Sequence, residues 1–268
     1  MTRDDVTVGI ISYFPDDPNI KIARVNRLNY LIKAIDILFN VPITIIAQNW
    51  KGVSIREGTT RKPLTIYNYK EGLGINRARE VLREKFLDSD YEYLIMLDDD
   101  SQLRGTVEGG TAYLNQIFAH PDGYGVFKPS LLKLFAISKT MFKKIEYPKG
   151  GADDPDPKMR FFEDMYLVNT LQLLYPNQGF QFRFENLMEY SDSAFDEFST
   201  GWHEVYKDTS EYKWDRHDTG DQTRFMIKQA NRGNLLKPET LQRGGRVDIN
   251  SFTQWRQRKI EQNKLRYK

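Results

Sequence analysis

Four short apolar runs alternate with two stretches of helical spacing inside the first hundred residues, and this alternation limits the fold more than any other feature of the chain. Val6 to Tyr13, Pro42 to Gln48, Leu64 to Asn68 and Tyr93 to Leu97 are rich in β-branched and aromatic residues and are bounded by turn formers, which marks them as strands. Between them, Leu28, Leu31, Ile32, Ile35 and Leu38 recur at helical spacing across Arg24 to Phe39, and Ile75 to Leu87 reads as a second helix. This succession predicts right-handed crossovers and a mostly parallel sheet flanked by helices, an α/β fold. In such sheets ligands sit at the C-terminal ends of the strands.

Beyond Asp100 the pattern is less regular. Gly109 to Phe118 reads as a helix, Tyr124 to Lys128 and Leu131 to Ser138 as strands, Gly150 to Lys158 as a breaker-rich loop, and Glu163 to Leu174 as a helix stopped at Pro176. One catalytic domain is expected over residues 1–225, followed by a basic C-terminal extension over 226–268. From Lys228 onward eleven basic residues face three acidic ones, although the whole chain has a formal charge of only +2. Such a stretch suits an anionic partner (a phospholipid surface, a phosphorylated carrier or nucleic acid) and suits a solvated tail equally well. No run approaches the roughly 20 apolar residues that span a bilayer. Met1 to Asp5 is polar and unlike a signal peptide, and without cysteine there is neither a disulfide nor a thiolate site. A cytoplasmic globular protein is the expectation.

Three segments carry chemistry. Leu94-Ile95-Met96-Leu97 runs into Asp98-Asp99-Asp100, which places carboxylates where an apolar strand meets solvent. Their hard oxygens suit Mn²⁺ or Mg²⁺, and a metal bridging them to a diphosphate neutralises charge on a leaving group. A solvated acidic turn has the same composition. Upstream, Tyr67-Asn68 is followed by Gly72-Leu73-Gly74-Ile75-Asn76-Arg77-Ala78-Arg79, where glycines precede a helix and arginines follow. That arrangement admits a phosphate at the helix N-terminus, although it is neither a dinucleotide fingerprint nor a P-loop. Downstream, Arg160-Phe161-Phe162-Glu163-Asp164 opens a helix with two acids behind two aromatics. A partly buried carboxylate in that setting can serve as a general base, and first-turn acids also simply complement a helix dipole.

Taken in order, Ile-Ser-Tyr at the end of the first strand, Gly-x-x-x-Ala-Arg, Leu-Asp-x-Asp, Leu134 to Ile145 and Phe-Phe-Glu-Asp resemble the glycosyltransferase-A fold and, within it, the inverting family 2 glycosyltransferases. The resemblance spans residues 6–175. It implies a metal-dependent sugar transferase using a nucleotide-diphosphate donor, a UDP-sugar in particular, with Mn²⁺ or Mg²⁺ as cofactor. Ser12 and Tyr13 would help hold the base, and Asn68, Gly74, Arg77, Arg79, Asp98 and Asp99 would complete the donor site. Asp100, with Asp98 and a late histidine, His203, would ligate the metal. Asp164 would act as base on the acceptor hydroxyl with Glu163 beside it. Glu80 replaces the asparagine of the family's Ala-Arg-Asn, and Ser138-Lys139 departs from its commoner small-residue and Arg pattern, so the acceptor site is unassigned.

The acceptor classes left open are a glycan, a glycoprotein, a lipid-linked sugar and DNA carrying a hydroxylated base. Nucleotidyl transfer fits less well, because Ser12-Tyr13-Phe14-Pro15-Asp16-Asp17 has neither glycine nor a basic residue after the first strand. A silent nucleotide-sugar-binding module would have no need of Asp98, Asp100 and Asp164 together.

Overall fold

The computed structural model describes residues 1–14, 18–51, 55, 60–70, 72–99, 101–126, 134–145, 167–168, 171, 174–182 and 188–192. In chain order the elements are β1 (Val6–Tyr13), α1 (Pro18–Leu38), β2 (Ile43–Gln48), β3 (Leu64–Tyr69), α2 (Ile75–Leu87), β4 (Tyr93–Asp98), β5 (Ser101–Gly105) and α3 (Val107–Phe118). After these come β6 (Tyr124–Val126), β7 (Phe135–Ser138), α4 (Lys139–Phe142), β8 (Gly179–Gln181) and β9 (Met188–Asp192). The main sheet has the order β3-β2-β1-β4-β7-β6-β8, and β5 pairs with β9 in a second, two-stranded sheet. β3, β2, β1 and β4 are all parallel, as are β6 and β8, whereas β7 runs antiparallel to both β4 and β6. The fold is thus α/β, with a mostly parallel sheet flanked by helices.

Two buried clusters hold the layers together, one on each face. Val6, Val8 and Ile10 of β1 point into a core with α1 and α3, while Ile11 joins residues of α2 and α4 with Leu167, Val168 and Leu171 on the other face. A strand apolar on both faces can occupy only the middle of a covered sheet. Each fully buried aliphatic side chain there contributes about 1.5–3 kcal/mol. Gly9 lets α2 come close: a Cβ at that position would stand 2.7 Å from the Leu82 side chain.

The boundaries differ from the sequence expectation in instructive ways. α1 begins at Pro18 instead of Arg24, since proline is at home in a first helical turn. The apolar period starts later in the helix, and Ile22 is still 60% exposed. α1 ends where Asn40 adopts φ 52° and returns its N–H to the Ile35 carbonyl at 3.1 Å. α3 starts at Val107, two residues before the predicted Gly109, because the Thr106 hydroxyl caps it by accepting the Gly109 N–H at 3.1 Å. β5, β8 and β9 were not expected. β5 shows why, since Ser101-Gln102-Leu103-Arg104-Gly105 contains a single apolar side chain, Leu103, and it is buried. The loop at 150–158, most of the helix at 163–174 and the extension at 226–268 lie outside the described residues. No described helix is long and apolar enough to cross a membrane.

Candidate functional site

Strand order reverses between β1 and β4. From β1 the chain passes through α1 to β2 on one side, then returns from β3 through α2 to β4 on the other side. The crevice outside the carboxyl ends of such a strand pair is where open α/β sheets bind ligands. The register sets Ile11 beside Asp98, so the pairing of β1 with β4 ends there while Ser12 and Tyr13 go on to pair with Ala47 and Gln48 of β2.

Alternation along the strands decides which way each of these side chains faces. Leu97 belongs to the core under α1 and Met96 to the core under α2, so Asp98 emerges on the α2 side. There the guanidinium of Arg79 donates to its Oδ1 at 2.8 Å. Arg79 is itself 4% exposed at the side chain and Asp98 34%, so an inner arginine grips an outer carboxylate. Asp99 faces the α1 side and is buried. Its Oδ2 accepts from Ser12 Oγ at 2.7 Å and lies 3.5 Å from Nη1 of Arg24. The same nitrogen of Arg24 donates to the Tyr13 carbonyl at 2.8 Å. Burial pushes the Asp99 carboxyl above its usual range, opposed by the Arg24 charge and the Ser12 hydroxyl.

The glycine-led turn stands on the β2 side of the crevice. Gln48 closes β2, is buried, and accepts the Leu73 N–H on Oε1 at 2.7 Å. Asn49 follows at φ 55°; its N–H reaches the Tyr69 carbonyl at 3.0 Å and its Nδ2 the Phe14 carbonyl at 2.8 Å, so one residue laces the ends of β1, β2 and β3. A Cβ at Gly72 would stand 3.2 Å from the Tyr13 ring. Gly74 caps α2 at φ 75°, a conformation that favours glycine. Its position leaves first-turn N–H groups of α2 near the end of β2, where the Leu73 N–H binds Gln48, a setting for an anion.

The structure therefore brings Tyr13, Gly74, Arg79 and Asp98 to one edge, with Ser12 and Asp99 turned inward against each other. Asn68 is exposed near the end of β3 and pairs in register with Ala47. Arg77 is exposed on α2 and binds Glu84 at 2.8 Å. Ser138 and Lys139 are structural: the Ser138 hydroxyl caps α4, and the Lys139 ammonium donates to the Ser89 carbonyl. Asp100, Glu163, Asp164 and His203 lie outside the described residues. Among the described residues no group of three acids or histidines is close enough to hold a metal. Asp98, a partly exposed carboxylate at a strand end, fits as one hard oxygen ligand of Mn²⁺ or Mg²⁺.

Arg24, Gln48 and Asn49 were missed by sequence reasoning. The signal for the last two was present, a polar pair ending the apolar run Ile43 to Ala47 at the same edge as the acids. Arg24 carried none, being one of several charged or polar residues in the early turns of α1 with Lys21, Asn26 and Arg27.

No protein-family model matches the chain, and no curated protein sequence does so. Among solved structures, the chain is similar to a candidate nucleotide-diphospho-sugar transferase from Desulfovibrio desulfuricans G20, at 10% identity and a TM-score of 0.39, over 67% of this chain and 80% of that one. It is also similar to HddC from Yersinia pseudotuberculosis, at 11% identity and a TM-score of 0.40, over 75% of this chain and 99% of that one. Similarities this distant do not transfer the role of any residue.

Proposed function

We propose that this chain is a metal-dependent glycosyltransferase that moves a sugar from a nucleotide-diphosphate donor, a UDP-sugar, to an acceptor hydroxyl with inversion. The observation that supports it most is the reversal of strand order between β1 and β4, with Asp98 held by Arg79 of α2 and the glycine-led start of that helix bound to the end of β2. Tyr13 offers an aromatic face for the base, and the first N–H groups of α2 offer donors to the diphosphate. A bound Mn²⁺ or Mg²⁺, with Asp98 and Asp100 as its carboxylates and His203 as a further ligand, would neutralise the charge that develops on the departing diphosphate. Asp164 takes the proton of the acceptor hydroxyl, whose oxygen attacks the anomeric carbon from the face opposite the leaving group. General-base assistance is typically worth 10²–10⁴-fold in rate, or about 3–5.5 kcal/mol of barrier.

The test is to incubate the protein with a panel of nucleotide sugars, with Mn²⁺, with Mg²⁺ and with neither, and to measure release of nucleotide diphosphate. Release from one donor that stops on chelation is expected, whereas no release from any donor with either metal rejects the reading. Asp164→Asn should keep donor binding and lower transfer by about two orders of magnitude or more. NMR of the new linkage should show the anomeric configuration opposite to the donor's, and a retained configuration overturns inversion.

A further inference from the structure

The middle acid of Asp98-Asp99-Asp100 has a role that the sequence does not distinguish from those of its neighbours. We propose that Asp99 is a positioning residue, which fixes the direction in which Asp98 leaves the sheet through Ser12 and Arg24 and does not itself touch the donor. The inference rests on the sugar-transfer reading above and assigns the labour within that site.

Consecutive residues at the end of β4 are gripped from opposite faces by arginines on opposite helices. Arg79 on α2 holds Asp98 at 2.8 Å, and Arg24 on α1 faces Asp99 at 3.5 Å. Twisting the strand end about its own axis would pull on both contacts at once. Asp99 is further tied to β1 by the Ser12 hydroxyl at 2.7 Å, and Arg24 is tied to β1 by the Tyr13 carbonyl at 2.8 Å. The end of β4, the end of β1 and α1 thus share one buried polar junction. Only 8% of Asp99 reaches solvent, and its Oδ2 is committed to Ser12 within the fold, so a ligand in the crevice meets Asp98 instead. Partners that orient a ligating carboxylate commonly change metal affinity without touching the metal.

The experiment measures the affinity of the full chain for Mn²⁺ with UDP, by electron paramagnetic resonance, together with KM and kcat for the donor. Asp99→Asn preserves shape and an acceptor for Ser12 but removes the charge facing Arg24. It should weaken Mn²⁺–UDP binding about tenfold or more and raise the donor KM in proportion, with the circular dichroism of a folded protein. Arg24→Gln should reproduce the loss, and the double variant should be no worse than either single one, because both act through one junction. Ile32→Val, a change in the core under α1 away from this junction, should leave binding unaltered. If Asp99→Asn does not fold, Ser12→Ala and Arg24→Gln carry the test, and binding by both at the wild-type level overturns the proposal. Binding lost in Asp99→Asn but kept in Arg24→Gln and Ser12→Ala overturns it too, because Asp99 would then contact metal or donor directly. Wild-type protein that binds neither Mn²⁺ nor UDP rejects the sugar-transfer reading itself, and this inference falls with it.

Discussion

Tyr93 places its hydroxyl between two backbone carbonyls, 2.6 Å from that of His120 and 2.8 Å from that of Gly123, and so ties the start of β4 to the turn before β6. Burial is the main cause that pushes its phenol well above the ordinary 10.0. Tyr113 is displaced in the same sense, and Tyr124 is pushed up to about 12. The sign follows from proton counting. Above pH 10 the unfolded tyrosines lose protons that the folded ones keep, so the unfolded state binds fewer and stability falls as pH rises. Urea titrations should therefore show stability declining from about pH 10 upward, and a flat profile to pH 12 contradicts the assignment. Tyr93→Phe should be less stable at neutral pH by about 1–2 kcal/mol and should lose less on going alkaline. Nothing in the local sequence Tyr91-Glu92-Tyr93 says which tyrosine is inside. The start of β4 decides it, since Tyr93 is its first residue, in one row with Ile95 and Leu97, whereas Tyr91 precedes the strand and is only partly buried against the other cluster.

At the scale of elements, the helices are held by contacts that short sequence signals encode well. The Thr106 cap is such a signal, and Thr106→Ala should cost about 1 kcal/mol, which for a chain of this size lowers Tm by about 2–4 °C. Thermal melts showing no change would mean that α3 is held by packing alone. The four parallel strands and two helices of the first hundred residues were legible because apolar period and turn residues agree there. β7 was legible as a strand but not as an antiparallel one, because direction is set by a partner far away in the chain. β5 and β9 were not legible at all. Each is short and largely polar, and each exists because the other supplies its hydrogen bonds. The site follows the same division. Asp98 and Gly74 could be read from local pattern, whereas the partnerships of Arg79 with Asp98 and of Asp99 with Ser12 and Arg24 join residues from separate elements.

The molecule as a whole is nearly neutral, yet a net positive charge is concentrated from Lys228 onward, where eleven basic residues meet three acidic ones. If that stretch recruits an anionic acceptor, removing the residues after Val247 should leave donor hydrolysis intact and weaken acceptor use. Binding of the full chain to DNA or anionic vesicles should fall steeply with added salt. Truncated protein that transfers sugar as well as the full chain would show the stretch to be dispensable. The small sheet of β5 and β9 has a consequence in time. Ser101 pairs with Asp192, which closes a loop of about ninety residues on the strand that follows the acids. That pair shares no strand with the seven-stranded sheet, and a two-stranded sheet has only marginal stability of its own. Native-state hydrogen exchange should then find the amides of β5 and β9 opening at lower free energy than those of β1, β2 and β4, and equal protection would refute this. Among the described strands β5 and β9 are on this account the last to pair after synthesis and the first to part, so the segment that follows the acids of β4 takes its final place only when a strand from far along the chain arrives.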